Sequence, residues 1–263
     1  MRKAALVTGA SAGLGRELAR LFAADKQDLV LVARRRDRLE ELARELERSH
    51  GVTARVCAED LADGRAPERI ASELERAGVE VEHLVNNAGF GAAGAFTDLD
   101  VGRELDILRV NVTAVVHLTR LLLPAMIARR SGRVLTIGST AGFEPGPYMA
   151  VYYASKAFVN SFSEALSFEL RGTGVTATLC CPGPTATEFA RIAGNDKSRL
   201  FHMAAMDAPA VAAIAYRAML RGKPMVVPGI WNKVGLQSLR IAPRSTVRRV
   251  AAALNRSAGG DGG

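Results

Sequence analysis

Residues 4–22 read AALVTGASAGLGRELARLF, an apolar run that meets a glycine-rich turn and continues into a helical pattern. An apolar run of this length is typical of a strand buried in a parallel sheet. Gly9, Gly13 and Gly15 let the backbone approach a ligand closely, and the free N–H groups at the start of the helix attract phosphate. The stretch therefore predicts a dinucleotide-binding strand–turn–helix unit, with a tight turn that holds no ligand as the alternative.

The end of the second predicted strand, at residues 28–33, indicates which dinucleotide is bound. Arg34, Arg35 and Arg36 follow Ala33 there. An acid near this position takes the ribose 2′-hydroxyl of NAD(H), whereas an arginine accommodates the 2′-phosphate of NADP(H). Arg34 first, and Arg35 second, thus favour NADP(H), with NAD(H) as the alternative cofactor. The competing interpretation is that these arginines only begin the charged helix that follows.

Strands and helices continue to alternate along the chain, with predicted strands at 52–57, 81–85, 134–137, 175–179 and 225–227. Asp60 follows the third strand, where it suits the amino group of an adenine or a helix N-cap. Asn87, Ala88 and Gly89 follow the fourth strand and leave room for a flat ligand. The loop after the sixth strand, residues 182–187, offers backbone groups and hydroxyls to a carboxamide.

Residues 139–156 carry the candidate acid–base chemistry. Tyr152 and Lys156 are four residues apart, so their side chains share one face of a helix. An adjacent ammonium favours a phenolate and lowers the pKa of the phenol. Ser139, at the end of an apolar strand, is placed to hold a carbonyl oxygen beside the tyrosine. Asn111 lies among apolar residues of a long helix predicted at 99–129, where its amide needs a backbone partner, a water, or both.

The motifs occur in one order at close-fitting intervals: the glycine turn, Asp60, residues 86–89, Asn111, Ser139, the Tyr152–Lys156 pair and Pro182-Gly183. Together they resemble the short-chain dehydrogenase/reductase family in its single-domain form, over residues 3–227. The resemblance implies an α/β fold, a Rossmann-type doubly wound seven-stranded parallel sheet of order 3-2-1-4-5-6-7 with helices on both faces.

The resemblance also implies roles for the residues. Tyr152 would exchange a proton with the substrate oxygen, and Ser139 would hold that oxygen. Lys156 would lower the pKa of Tyr152 and bind the nicotinamide ribose, and Asn111 would hold a water of a proton relay. Ala12 stands where many NADP-dependent members carry a basic residue. The predicted cofactor contacts are Gly9, Ser11, Gly13, Leu14, Gly15, Arg34, Arg35, Asp60, Leu61, Asn87, Ala88, Gly89, Asn111, Tyr152, Lys156, Pro182, Gly183, Thr185 and Thr187.

The predicted reaction is NADPH-dependent interconversion of a carbonyl and a secondary alcohol. The loop at about 184–207 is rich in apolar residues, which favours an apolar substrate, although the same side chains can simply pack the loop down. These residues are Phe189, Ile192, Leu200, Phe201, Met203 and Met206. Two alternatives stay open: a reductase of 3-oxoacyl thioesters of acyl-carrier protein or CoA, and a non-catalytic regulator that senses NADP(H).

Composition sets the remaining expectations. The 263 residues predict one domain over residues 1–256 and a small, glycine-rich disordered tail at 257–263. The three cysteines show neither disulfide nor metal-ligand spacing, so we expect a reducing cytoplasm and no metal site. His117 and Arg120 interrupt the most apolar region, residues 110–128, which argues against a membrane-spanning helix.

Partners are predicted from charge and from the resemblance. The net charge is +8, and Arg240, Arg244, Arg248 and Arg249 recur near helical spacing. A solvated helix face is the main interpretation of this arginine-rich tail, and contact with an anionic surface is the minor one. No nucleic-acid partner is expected. Many members of the family assemble through their long helices, so the resemblance implies a homodimer or homotetramer.

Overall fold

The computed structural model describes residues 2–194 and 205–256. Its strands are β1 (Arg2–Thr8), β2 (Asp28–Ala33), β3 (Ala54–Ala58), β4 (Val79–Asn86), β5 (Gly132–Ile137), β6 (Val175–Cys180), β7 (Thr185–Ala186), β8 (Met206–Asp207) and β9 (Met225–Val226). Seven of them form one parallel sheet in the order β3-β2-β1-β4-β5-β6-β9. The predicted doubly wound sheet and its strand order are therefore confirmed. The pairing of β7 with β8 in a separate two-stranded sheet was not predicted.

Helices cover both faces of this sheet. They are α1 (Gly13–Ala24), α2 (Arg36–His50), α3 (Ala66–Arg76), α4 (Val101–Leu108), α5 (Ala114–Ala128), α6 (Ala150–Glu169), α7 (Glu188–Ala193), α8 (Ala208–Leu220), α9 (Ile230–Leu239) and α10 (Arg244–Asn255). Alternate residues of β1 serve the two faces: Ala5 and Val7 pack with α1, α2 and α8, and Ala4 and Leu6 pack with α3, α5 and α6. This division follows from the two-residue period of a strand.

A π-helical turn joins α4 to α5. It spans Arg109–Thr113 and makes Val101–Ala128 one continuous helix of 28 residues, close to the predicted 99–129. By length and composition this helix resembles a membrane span. However, Val110, Ala114 and Leu118 are buried in the core on the sheet, as in the inner helix of a globular domain. The π turn itself was not predicted, although such turns are frequent at functional sites.

The arginine-rich tail does not form the single helical stripe that its spacing predicts. Arg240 caps the end of α9, and Arg244 begins α10. Pro243 lies between them, and a proline has no N–H group with which to continue a helix. Arg248 and Arg249 follow on α10. The predicted disordered tail, residues 257–263, lies outside the described residues.

Candidate active site

A cleft of about 610 Å³ opens at the carboxyl ends of the central strands, where ligands bind in open α/β sheets. Most of the predicted site residues line it. The lining includes Gly9, Ser11, Gly13, Leu14, Arg34, Arg35, Asp60, Leu61, Asn87, Ala88, Gly89, Ser139, Tyr152, Lys156, Pro182, Gly183, Thr185 and Thr187. Gly15 and Asn111 do not line the cleft. The structure places both directly behind it, in supporting positions.

The glycine turn is held by the end of β4. Gly9 and Gly13 have φ angles of +67° and +53°, which favour glycine. Thr8 Oγ1 accepts hydrogen bonds from the N–H groups of Asn87 and Ala88, and Asn87 Nδ2 donates to Thr8 O at 2.9 Å. A side chain at Gly15 would lie 2.5 Å from Asn87 Nδ2. Gly15 therefore allows α1 to pack against the turn, which is a structural role.

The two candidate phosphate-binding arginines differ in their contacts. Arg34 is mostly exposed, and its Nη1 lies 3.8 Å from Asp60 Oδ2. Arg35 donates from Nη2 to Ser11 Oγ at 3.2 Å and pairs through Nη1 with Glu188 at 3.0 Å. Asp60 accepts from the N–H of Ala62, as in an Asx turn, and does not cap α3, which begins at Ala66. Arg34 is thus the freer cation at the end of β2.

One side of the cleft, here called the inner wall, consists of residues 138–143 and α6. Ser139 Oγ accepts from the N–H of Ala141 at 3.1 Å, and the Ser139 side chain interacts with that of Tyr152. Buried Asn160 holds the Ser139 backbone from both sides, because Nδ2 donates to Ser139 O at 2.9 Å and Oδ1 accepts from Ser139 N at 3.4 Å. Side chains at Gly138 and Gly142 would overlap the Asn160 amide. Asn160 fixes the place of the serine.

The sequence reasoning missed Asn160. It lies four residues after Lys156 and eight after Tyr152, on the same face of α6. This spacing, together with the glycines on both sides of Ser139-Thr140-Ala141, was the available signal.

Tyr152 and Lys156 lie on the inner wall, with Lys156 Nζ 6.0 Å from the centre of the tyrosine ring. Lys156 is buried and donates from Nζ to Ile137 O at 2.8 Å. Burial lowers the pKa of Lys156 to about 8. Burial raises the pKa of Tyr152, and the interaction with the Ser139 side chain opposes that rise. The direction is opposite to the lowering of the pKa that the sequence predicts from Lys156, because loss of hydration is the largest cause of the shift.

Asn111 sits in the π turn behind Gly89. Its Nδ2 donates to Phe90 O and to Ser155 Oγ, both at 3.0 Å, and its Oδ1 accepts from Phe90 N at 3.1 Å. A side chain at Gly89 would lie 3.1 Å from Asn111 Oδ1 and 3.5 Å from Lys156 Nζ, so the amide and the ammonium are neighbours. The predicted structural hydrogen bond of Asn111 is present.

The opposite side, here called the outer wall, consists of residues 184–193, β8 and α9. Phe189 packs its ring 5.2 Å from that of Tyr152, and Ile192 also lines the cleft. Both residues belong to the predicted apolar loop. Met206 instead contacts Gly229 and Asn232. Leu200, Phe201 and Met203 lie outside the described residues. Sequence reasoning missed the contribution of α9, which adds Trp231, Asn232, Gly235, Leu236, Ser238 and Leu239 to the lining.

Comparisons with known proteins agree with this geometry. The short chain dehydrogenase family model matches residues 3–198. Sulfoacetaldehyde reductase 2 of Chromohalobacter salexigens is 39% identical over 73% of this chain and 77% of its own length. The very-long-chain 3-oxoacyl-CoA reductase of Anas platyrhynchos is 34% identical over 72% of this chain, which spans 61% of that protein. The solved short-chain dehydrogenase of Sphingobium yanoikuyae, in complex with NADPH, has a TM-score of 0.79 at 30% identity and covers 93% of this chain and 97% of its own.

Proposed function

The chain belongs to the short-chain dehydrogenase/reductase family and is an NAD(P)-dependent oxidoreductase, and from this premise we propose that it reduces apolar ketones to secondary alcohols with NADPH. One observation carries the proposal. Tyr152, Ser139 and Lys156 line the same cleft as the glycine turn. A proton donor and a dinucleotide cradle therefore face one space large enough for a small-molecule substrate.

The residues of the cleft fit a nicotinamide dinucleotide phosphate. The left-handed turn at Gly9 and Gly13 brings backbone N–H groups to the start of α1, where an anionic phosphate is stabilised. The cations at the end of β2 suit a further phosphate, and Arg34 is the better placed because Arg35 already pairs with Glu188. NADP(H) is accordingly the preferred cofactor and NAD(H) the alternative. When bound, the cofactor supplies or accepts the hydride.

The chain's own residues orient the substrate and manage the proton. Ser139 Oγ, fixed by Asn160, holds the carbonyl oxygen beside the Tyr152 hydroxyl. The raised pKa of Tyr152 keeps its proton in place at neutral pH, so the phenol donates that proton to the oxygen as the alcohol forms. Lys156 lies behind the tyrosine and returns a proton to it, and a water held by Asn111 would resupply Lys156 in a proton relay. Phe189 and Ile192 exclude bulk water from the reacting oxygen.

The substitution Tyr152→Phe tests this function. It removes the donated proton and keeps the ring that packs on Phe189, so we expect NADPH binding, measured by titration of cofactor fluorescence, to change little. Reduction of an activated ketone should fall by about 10²–10⁴-fold. Tyr153→Phe is the control, because Tyr153 bonds Asn255 of α10 and does not face the reacting oxygen. Unchanged turnover in Tyr152→Phe contradicts the proposal.

Two alternatives make different predictions in a substrate panel. A 3-oxoacyl thioester reductase, favoured by the likeness to very-long-chain 3-oxoacyl-CoA reductases, prefers 3-oxoacyl-CoA or acyl-carrier-protein thioesters over simple ketones. A non-catalytic NADP(H) sensor binds NADPH and turns over no carbonyl in the panel. Parallel assays of ketones, aldehydes and acyl thioesters, each with NADPH and NADH, distinguish the three. The apolar outer wall supports an apolar substrate in either enzymatic case.

Assembly and location complete the proposed function. Leu105, Leu121, Phe158 and Phe168 expose apolar surface on the helices α4, α5 and α6, which supports a homodimer or homotetramer formed through these helices. Light scattering at several concentrations measures the size. We place the enzyme in the cytoplasm, because all three cysteines are free and buried.

A further inference from the structure

The outward side of α9 is apolar, although it faces solvent. Asn232, Leu236 and Leu239 form the partly buried inner side of this helix. With about 100° between successive residues, Ile230 and Val234 point the opposite way. They are 66% and 52% exposed, and Ile241, just past the helix end, is 88% exposed. Trp231, at the edge of this side, is 82% exposed. These four residues are called the docking face.

The segment of the chain that carries the docking face has charges of a single sign. Residues 208–256 contain no acid and nine cations, whereas the whole chain carries a net charge of only +8. The remaining residues are therefore close to neutral overall. Lys233 and Arg240 flank the docking face on one side of α9, and Arg244 and Arg248 follow on α10. Among the described residues, none of these four cations has an acidic partner within salt-bridge distance.

We propose that the docking face lies on the surface of a membrane that contains anionic lipids. Apolar side chains that include a tryptophan, flanked by cations, are the combination that binds at the lipid interface. A second copy of the chain is a poor occupant, because the same cations would face each other. Nucleic acid is also a poor occupant, because it offers no apolar surface to Ile230, Val234 and Ile241.

The docked orientation places the cleft at the lipid. Trp231, Gly235 and Ser238 line the cleft from the side of α9 adjacent to the docking face. An apolar ketone dissolved among the acyl chains therefore reaches the outer wall without crossing water. This delivery step rests on the proposed function, whereas the docking itself does not depend on turnover.

Trp231 is the sole tryptophan of the chain, so its fluorescence reports directly on the docking face. We expect a blue shift and co-flotation with vesicles of phosphatidylcholine and phosphatidylserine, weakened by salt, and little of either with phosphatidylcholine alone. The triple variant Ile230→Ser, Val234→Ser, Ile241→Ser keeps Trp231 and the cleft lining, and should lower partitioning at least about tenfold. Arg240→Gln, Arg244→Gln, Arg248→Gln together should lower it about a hundredfold.

Two controls match these variants. Phe96→Ser with Val101→Ser removes equally exposed apolar residues elsewhere, and Arg36→Gln, Arg44→Gln, Arg48→Gln removes the same charge from α2, which also carries acids. Both controls should bind anionic vesicles as the wild type does. The proposal fails if the wild type does not bind anionic vesicles, or if the variants and controls bind equally. It also fails if the apolar variant changes the oligomeric state without lipid, or if the cations bind duplex nucleic acid in preference to vesicles.

Discussion

The two walls of the cleft are built in opposite ways. The inner wall rests on β5 and β6, and its polar groups are buried and hydrogen-bonded to the backbone: Asn160 donates to Ser139 O, and Lys156 donates to Ile137 O. The outer wall rests on the two-residue strands β7 and β8 and on α9, which exposes Trp231 and Val234. The difference shows which wall needs accurately placed atoms. Proton transfer requires fixed atoms, whereas substrate choice and surface contact tolerate a wall with less supporting secondary structure.

Adding a methyl group to a glycine in each wall gives the largest expected contrast. Gly138→Ala would overlap the Asn160 amide and lie 2.8 Å from Leu179 Cδ1, so the free energy of unfolding should fall by about 2–3 kcal/mol. Gly235 has open space around it in the middle of α9, so Gly235→Ala should raise that free energy by about 0.5–1 kcal/mol. Urea unfolding followed by circular dichroism measures both. Equal changes in the free energy of unfolding for the two variants would contradict the proposed difference between the walls.

A second comparison uses one asparagine from each wall. Asn160→Ala leaves the Ser139 carbonyl without its donor in a buried site, which should cost about 1–3 kcal/mol of stability. Because Ser139 loses its fixed place, kcat should fall about tenfold while the KM for NADPH stays the same. Asn232→Ala removes hydrogen bonds to Pro228 O and Met206 Sδ within the outer wall and should alter the KM for the ketone more than kcat. Steady-state kinetics separate these outcomes; a purely structural role for Asn160 predicts lower stability with normal kcat in the folded fraction.

The arginines at the end of β2 give a third comparison. Arg35 forms an ion pair with Glu188 of the outer wall, and Arg34 does not. We expect Arg34→Gln to raise the KM for NADPH about tenfold, as loss of one charge-assisted hydrogen bond does. Arg35→Gln should raise it less, and neither should change the KM for NADH. Glu188→Gln frees Arg35 and should slightly lower the KM for NADPH. A larger effect of Arg35→Gln would reverse the assignment.

The smallest expected effect is a pH dependence of the reduction rate, which arises from Lys156 in the inner wall. Because burial lowers the pKa of Lys156 to about 8, its ammonium loses its proton as the pH rises through that value. The pKa of Tyr152 is raised, so the phenol keeps its proton over the same range. The rate of ketone reduction at pH 8 should therefore be about half of its value at neutral pH, and should fall further above pH 8. Outer-wall variants should leave this profile in place; a rate that stays constant from neutral pH to pH 9 contradicts the role of Lys156.

The sequence predicted the parts of the molecule that depend on local pattern. The apolar run and glycine turn at residues 4–15, and the spacing of Tyr152 and Lys156, each lie within one strand, turn or helix, so a fixed interval identifies them. The strand order followed from the resemblance that these motifs carry. Strand ends differed by about two residues, as at β3, because pairing with β2 sets where a strand stops.

Features that arise from contacts distant in sequence were missed. Asn160 matters because residues 138–142 fold onto it, and α9 lines the cleft because Gly183 packs on Asn232. The ion pairs of Glu188 with Arg35 and Arg38 join residues about 150 positions apart. A periodic pattern in the sequence does not reveal ion pairs between residues so far apart. The sign of the Tyr152 pKa shift was also missed, because it is set by burial and not by the neighbouring charge.

The π turn at Arg109–Thr113 also affects how the chain can be altered. One surplus residue rotates everything after it by about 100° relative to a regular helix. The exposed side of α5 is thus turned relative to that of α4 in comparison with a regular helix. Deleting one residue here would restore an uninterrupted ladder of hydrogen bonds, yet would swing the Asn111 amide away from Phe90 and Ser155. Converting the π turn to regular α-helix is therefore a poor way to make the enzyme more stable.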